Sequence, residues 1–155
     1  MKQNRIRPIA ICLFRNGDHI LAAEGFDSVK QMQFYRPLGG GVEFGEHSRD
    51  ALAREIKEEL GAEIEDARLL GVIENVFTLE GRPGHEVVFV YDARFTDKSL
   101  YERETLIGRE DGAGFFTARW VSLAEVQNNG VRLVPNELIG LIHSMRFHEA
   151  DVDLS

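Results

Sequence analysis

The chain has 155 residues, 43% hydrophobic and 28% charged, a composition that predicts one folded domain over residues 1–155 rather than a disordered chain. The formal net charge of −8 argues against binding a nucleic-acid polymer, whose phosphates require a positive surface. No apolar run approaches the ~18 residues of a membrane span, and the polar N-terminus does not predict a secretory signal. The single cysteine, Cys12, excludes a disulfide scaffold and favours a reducing, cytoplasmic location.

The acidic charge is concentrated in one segment of the chain. Between Glu43 and Asp66 there are nine acidic and three basic residues, so this segment carries −6 of the total −8. A charge density of this kind requires either a solvated surface or a positively charged ligand.

The N-terminal part predicts a β-hairpin. Ile6–Phe14 and His19–Ala23 are rich in apolar and β-branched residues, and Asn16–Asp18 between them is a turn signal. Residues 25–35 show no clear period and are expected to form a loop. Pro37–Gly41 then predicts a turn.

A short strand over Val42–Phe44 is expected to lead into a helix over His47–Leu60. His47 or Ser48 can begin the helix, and Gly61 is suited to end it because glycine readily adopts the left-handed conformation. One apolar stripe at helical spacing is formed by Leu52, Ile56 and Leu60.

The C-terminal half mixes strands, loops and helices. The predicted elements are strands over Ala67–Phe77 and Glu86–Phe95 joined by a turn at Gly81–Gly84, a loop over Lys98–Gly114, a strand over Phe115–Val121, a short helix over Leu123–Val126 capped by Ser122, a last helix from Pro135 to Phe147, and a frayed tail at about 148–155. Because strands and helices do not alternate strictly, we expect an α/β fold with a mixed sheet packed by helices.

Three glutamates of the predicted helix share one face. Glu55, Glu58 and Glu59 lie at i, i+3 and i+4, so their carboxylates project in similar directions. A solvated acidic face is the ordinary interpretation of such a pattern. The glycine-rich stretch before the helix and Glu46 at its entrance favour a site for Mg²⁺, or Mn²⁺, completed by substrate phosphates.

The same residues resemble the signature of a known enzyme family. Gly40, Glu46 and the run Arg54–Gly61 stand at the offsets of the 23-residue Nudix box of the Nudix hydrolases, ending at Ala62, where the family usually has a larger aliphatic residue. The resemblance implies an α/β/α sandwich with a mixed central sheet. It also implies Mg²⁺-dependent hydrolysis of a nucleoside diphosphate linked to another group X.

By this resemblance, Glu55, Glu58 and Glu59 bind the metal, and the carbonyl of Gly39 can add a ligand. Arg54 would orient the glutamates, while Gly40 and Gly41 would lie against the substrate. A carboxylate would be the general base. The first choices for that base are Glu59 and Glu58, and the alternatives are Glu46, Glu104, Glu110 and Asp111.

Several residues outside the box have two interpretations each. Arg36 either holds a phosphate or stacks on a base, or is an ordinary surface arginine. The pair His85–Glu86 either enters the site or is structural. Phe115, Phe116 and Trp120 are expected in the core rather than as a stacking platform for a base.

Two nucleotide-related functions remain open at the level of sequence, beside a third alternative, an acidic structural domain that matches the box by chance. The first is a Nudix pyrophosphohydrolase acting on a small phosphorylated nucleotide. The second is a non-catalytic Nudix module that senses a nucleotide, although such modules typically lack box glutamates. The sequence leaves open the substrate (a nucleoside triphosphate, ADP-ribose or a sugar nucleotide, or a dinucleoside polyphosphate), the number of metals, and whether the chain forms a homodimer.

Overall fold

Eight strands form one mixed β-sheet in the computed structural model, which describes residues 4–110, 112, 114–128 and 130–144. The strands are β1 (Ile6–Cys12), β2 (Arg15–Asn16), β3 (His19–Asp27), β4 (Met32–Gly41), β5 (Ile64–Leu79), β6 (Arg82–Phe95), β7 (Thr105–Glu110) and β8 (Gly114–Ser122). Their order is β5-β6-β1-β4-β3-β8-β7, with β2 beside β3. Strands β1 and β6 are parallel and the other paired strands are antiparallel, which confirms the expected mixed sheet.

Helices cover both faces of the sheet. They are α1 (Ser48–Leu60), a 3₁₀ helix (Lys98–Glu102), α2 (Leu123–Gln127) and α3 (138–144). Among the described residues, no helix combines the length and apolar character needed to cross a bilayer.

Strand β1 shows how two cores are built, because its side chains alternate between the faces and all are buried from Ile9 onward. Ile9 and Ile11 pack into a core that includes residues of α2 and α3. Ala10 and Cys12 pack into a second core with Leu52 and Ile56 of α1, and others. The α/β/α sandwich is therefore confirmed.

Strand β4 changes partner along its length. Its first part pairs with β3 from Met32 to Pro37, and its last four residues pair with β1 from Leu38 to Gly41. The chain near residues 132–134 hydrogen-bonds to Tyr35 through the Arg132 carbonyl and the Val134 N–H. The glycines at the end of β4 lie beside α1.

The predicted loop over residues 25–35 is wrong. Strands β3 and β4 continue through it and leave only residues 28–31 as a turn. Asp27 stabilises this turn because its carboxylate accepts hydrogen bonds from the N–H groups of Val29 and Lys30. The alternation of polar and apolar residues typical of a strand is obscured, because this pair of strands has both kinds of residue on each face.

The predicted turn at Pro37–Gly41 is also wrong, since these residues belong to β4. Glycine is needed at Gly39 for close approach to the neighbouring strand, because a Cβ there would lie 2.0 Å from the Ala10 carbonyl oxygen. The following Val42–Phe44 is irregular rather than a strand, and Phe44 is fully exposed.

The segment Lys98–Gly114 is not a loop, because it contains the 3₁₀ helix and β7. Strand β7 lies at the sheet edge and buries little besides Leu106, so its sequence is mostly polar. Phe115 is 76% exposed, which contradicts its predicted core position, while Phe116 and Trp120 pack partly buried against the core on the α1 side.

The boundaries of α1 were predicted to within one residue, but the start of the last helix was not. Helix α1 ends as expected, with Gly61 left-handed at φ 66° and its N–H bonded to the Lys57 carbonyl. Ser122 precedes α2 but makes no side-chain capping bond. Pro135 does not begin the last helix, because the Leu138 N–H bonds to the Pro135 carbonyl in a turn and helix α3 starts at residue 138. The predicted end at Phe147 and the tail at 148–155 lie outside the described residues.

Candidate active site

Helix α1 presents its glutamates to a cavity of about 630 Å³. Ala51, Leu52 and Ile56 are buried and fix the rotation of the helix against the sheet. The side chains of Glu55, Glu58 and Glu59 line this cavity together with Gly39, Gly40 and Gly41 of β4. The structure therefore brings three of the four box glutamates and the glycines before the helix into one cavity, and Glu46 lies outside it.

Gly40 is the point of closest approach between β4 and α1. A Cβ at this position would lie 2.3 Å from the carboxyl carbon of Glu55, a distance that no real Cβ contact shows. Glycine at this position therefore leaves room for the Glu55 carboxylate beside the strand. It follows that any side chain at position 40 would displace Glu55.

Arg54 binds the surrounding carboxylates and the backbone. Its Nε and Nη2 donate to the two oxygens of Glu46 at 2.8 and 2.9 Å, and Nη2 also donates to the Gly41 carbonyl at 2.9 Å. Nη1 donates to Glu55 at 3.0 Å and to Glu58 at 3.3 Å. The Arg54 guanidinium lowers the pKa of Glu46 to about 2, so this carboxylate is ionised. Both of its oxygens accept hydrogen bonds from Arg54.

Glu59 lies in a different electrostatic environment. Its Oε1 is buried and has no hydrogen-bond partner among the described residues. Burial, together with the nearby charges of Glu55 and Glu110, raises the pKa of Glu59 to about 8, and the charge of Arg36 opposes this rise. A positive ligand in the cavity would stabilise the ionised form.

The donor set fits a hard divalent cation. Clustered carboxylate oxygens, one of them without a partner, are the ligands that Mg²⁺ and Mn²⁺ prefer. Within the described residues, however, no three acidic, histidine or cysteine side chains converge into a complete metal cage. Arg54 donates hydrogen bonds to Glu55 and Glu58, so these two carboxylates already have a cationic partner.

Comparison with known proteins identifies this arrangement. The chain matches the NUDIX domain over residues 5–139. The chain belongs to the Nudix family. It is a Nudix hydrolase, an enzyme that cleaves pyrophosphate linkages.

Solved structures agree on the fold. A NUDIX hydrolase from Nitrosomonas europaea is 17% identical with a TM-score of 0.65, and the match covers 93% of this chain and 90% of that one. A MutT NUDIX hydrolase from Burkholderia pseudomallei is 24% identical with a TM-score of 0.57, covering 78% and 86%. An ADP compounds hydrolase is 14% identical with a TM-score of 0.59, covering 92% and 74%.

The cavity of this Nudix domain also contains cationic side chains. Arg7 of β1, Arg36 of β4 and Arg109 of β7 line it. Sequence reasoning missed Arg7 and Arg109 because they lie on strands far from the box in sequence. Arg36 was a candidate, and it lies half-buried in the cavity wall with its Nη2 3.6 Å from Oε2 of Glu86.

The other candidates for the general base lie in different parts of the structure. Glu110 lines the cavity of the Nudix site, whereas Glu104 lines a separate cavity with Tyr101 and Trp120. Glu46 does not line the cavity and is held by Arg54. Asp111 lies outside the described residues.

A second cavity of about 320 Å³ adjoins the first. Phe34, Arg36 and Leu79 line both cavities, so these side chains form the boundary between them. The second cavity also contains Glu86, which places one member of the His85–Glu86 pair next to the site. Its walls come from β4, from the β5–β6 hairpin and from the chain around residues 132–137.

Proposed function

We propose that this Nudix enzyme is a Mg²⁺-dependent hydrolase of the diphosphate linkage in a nucleoside diphosphate joined to another group X. The observation that carries the proposal is the half-buried Glu59, whose Oε1 has no partner among the described residues, in a cavity shared with Glu55 and Glu58. Mn²⁺ is an acceptable substitute because it prefers the same oxygen ligands.

Glu55, Glu58 and Glu59 would hold the metal, with the carbonyl of Gly39 as a further ligand. When bound, the metal supplies neutralisation of the diphosphate charge and orientation of a water molecule. Arg54 holds Glu55 and Glu58 in position. Glu46, which binds Arg54 through both oxygens, supports that arrangement rather than removing a proton.

In the reaction, a water oxygen forms a bond to one phosphorus of the diphosphate and the bridging P–O bond breaks. The water proton passes to a carboxylate, and the other phosphate leaves with its electron pair on oxygen. Glu59 is the first choice for this base and Glu58 the second, and Glu110 is the alternative within the same cavity. Arg36, Gly40 and Gly41 would contact the phosphates.

The group X has room in the second cavity. That cavity adjoins the phosphate region across Phe34, Arg36 and Leu79 and combines apolar walls with polar groups, as pockets for small organic moieties do. The segment 25–35 contributes residues to both cavities. A small phosphorylated nucleotide fits these features better than a polymer.

A substrate panel tests the proposal. Nucleoside triphosphates, ADP-ribose, sugar nucleotides and dinucleoside polyphosphates are incubated with Mg²⁺, and phosphate-containing products are measured for the wild type and for Glu58→Gln and Glu59→Gln. We expect turnover of at least one class and a loss of 10²-fold or more for the variant lacking the base, in line with the usual contribution of a general base.

Glu63→Gln is a matched control, because Glu63 is exposed, pairs with Lys57 and lies outside the cavity. Unchanged activity in both Glu58→Gln and Glu59→Gln would contradict the assigned roles. Tight nucleotide binding without turnover under any metal would instead indicate a sensing module.

A further inference from the structure

Glu86 is a buried carboxylate in the wall of the second cavity. The residue is only 5% exposed, and its Oε2 lies 3.6 Å from Nη2 of Arg36. Burial of an ionised carboxylate is costly unless a cation lies beside it. Among the described residues, Arg36 is the cation that forms an ion pair with Glu86.

Arg36 occupies the boundary between the two cavities. Its side chain is 40% exposed and lines both of them. A guanidinium has five N–H donors, and the contact with Glu86 is longer than a hydrogen bond, so donors remain for another anion. Arg36 also lines the same cavity as Glu59, and its charge opposes the rise in the pKa of that carboxyl.

We propose that Glu86 is a positioning residue that holds Arg36 at the boundary between the cavities, with free N–H donors directed at the diphosphate of the substrate. This inference rests on the proposed function, since it assigns Arg36 to the phosphates of the same substrate. Glu86 lines the second cavity and not the cavity that contains Glu55, Glu58 and Glu59. Its carboxylate fixes the arginine from the side of the second cavity.

The test measures binding of inorganic pyrophosphate with Mg²⁺ by isothermal titration calorimetry. The proteins are the wild type, Glu86→Gln, Arg36→Gln and the double variant, which together form a double-mutant cycle. We expect Glu86→Gln to weaken pyrophosphate binding about tenfold and Arg36→Gln to weaken it at least as much. The double variant should bind no more weakly than Arg36→Gln alone.

Independent losses that multiply in the double variant would overturn the proposal, as would an unchanged affinity in Glu86→Gln. Asp27→Asn is the matched control, because Asp27 is also a buried acid but accepts bonds from backbone N–H groups rather than from Arg36. Its effect should multiply with that of Arg36→Gln.

A second variant keeps the proposal testable if Glu86→Gln does not fold. Glu86→Asp keeps the charge and shortens the side chain, so pyrophosphate affinity should fall between those of the wild type and Arg36→Gln. An affinity equal to that of the wild type would count against a geometric role. On a substrate that turns over, Glu86→Gln should raise KM about tenfold and change kcat less than threefold, whereas a structural defect lowers kcat and melting temperature together.

The binding readout separates this inference from the proposed function. If the wild type binds pyrophosphate with the expected coupling but cleaves no substrate in the panel, the hydrolase proposal fails and the positioning role stands. If the wild type cleaves a substrate and the cycle shows no coupling, only the positioning role fails. Failure of the wild type to bind pyrophosphate contradicts both.

Discussion

Arg54 combines more contacts than any single carboxylate around it. It bonds to Glu46 through two nitrogens, to Glu55 and Glu58, and to the Gly41 carbonyl. The planar fork of arginine makes these bonds in fixed directions, which a lysine ammonium cannot reproduce. The residue thus joins the helix, the preceding loop and the end of β4.

Replacing Arg54 with Lys should lower the free energy of unfolding by about 2 kcal/mol, because several charge-assisted hydrogen bonds are lost. It should also lower activity about 10–100-fold, the usual effect of losing a group that orients metal ligands. Urea unfolding and steady-state kinetics measure the two effects. Arg49→Lys, on the exposed first turn of the same helix, should change neither, and a similar loss there would contradict the assignment.

Gly40→Ala should reduce activity at least tenfold, because the new Cβ would lie 2.3 Å from the Glu55 carboxyl carbon and displace it. Steady-state kinetics at saturating metal measures this loss. Gly140→Ala is the matched control, because Gly140 is exposed on α3 and its Cβ would meet no atom within 4 Å. The control should leave activity intact and stabilise the protein by about 0.5–1 kcal/mol, as Gly→Ala does within a helix. Full activity of Gly40→Ala would refute the close-approach argument.

At the scale of elements, the β3–β4 turn is joined to the β5–β6 turn. The N–H of Glu80 donates to the Asp27 carboxylate, and the Glu80 carboxylate accepts from the N–H and hydroxyl of Ser28. Lys30 Nζ also donates to the Thr78 carbonyl at 2.6 Å. Because these two hairpins contribute walls to both cavities, their connection fixes the shape of the site.

The hairpin connection should weaken in acid. Backbone N–H bonds, led by that of Lys30, lower the pKa of Asp27, so its contribution to stability is present above the ordinary Asp pKa of about 4 and is lost as the pH falls through the lowered value. Between about pH 5 and pH 2.5, the wild type should lose more free energy of unfolding than Asp27→Asn. Denaturant unfolding across this pH range measures the difference, and parallel curves would exclude the effect.

Elements with strong local signals could be predicted from sequence, and elements defined by distant partners could not. Helix α1 was predicted because its apolar stripe and Gly61 are local, and the box residues were placed together for the same reason. Strand β7 was missed because an edge strand buries few side chains. The glycines of β4 suggested a turn, whereas their function is close approach to β1 and to Glu55. Arg7 and Arg109 reach the cavity only through sheet pairing.

At the scale of the whole molecule, the fold places most of the negative charge beside one cavity. Most of the net charge of −8 belongs to α1 and its flanks, and α1 packs at the point where β4 changes partner from β3 to β1. Cationic side chains from β1, β4 and β7 approach the same cavity. Bound divalent cations would offset the acidic charge, so an anionic diphosphate would meet a far less negative site than the sequence suggests.

Direct titration with Mn²⁺, followed by electron paramagnetic resonance of the free ion, tests the central claim that the α1 glutamates form a divalent-cation site. The wild type should remove Mn²⁺ from solution in a saturable manner, Glu59→Gln should bind it at least tenfold more weakly, and Glu63→Gln should match the wild type. Equal binding by the wild type and Glu59→Gln, or no binding by the wild type at millimolar Mn²⁺, would contradict the account.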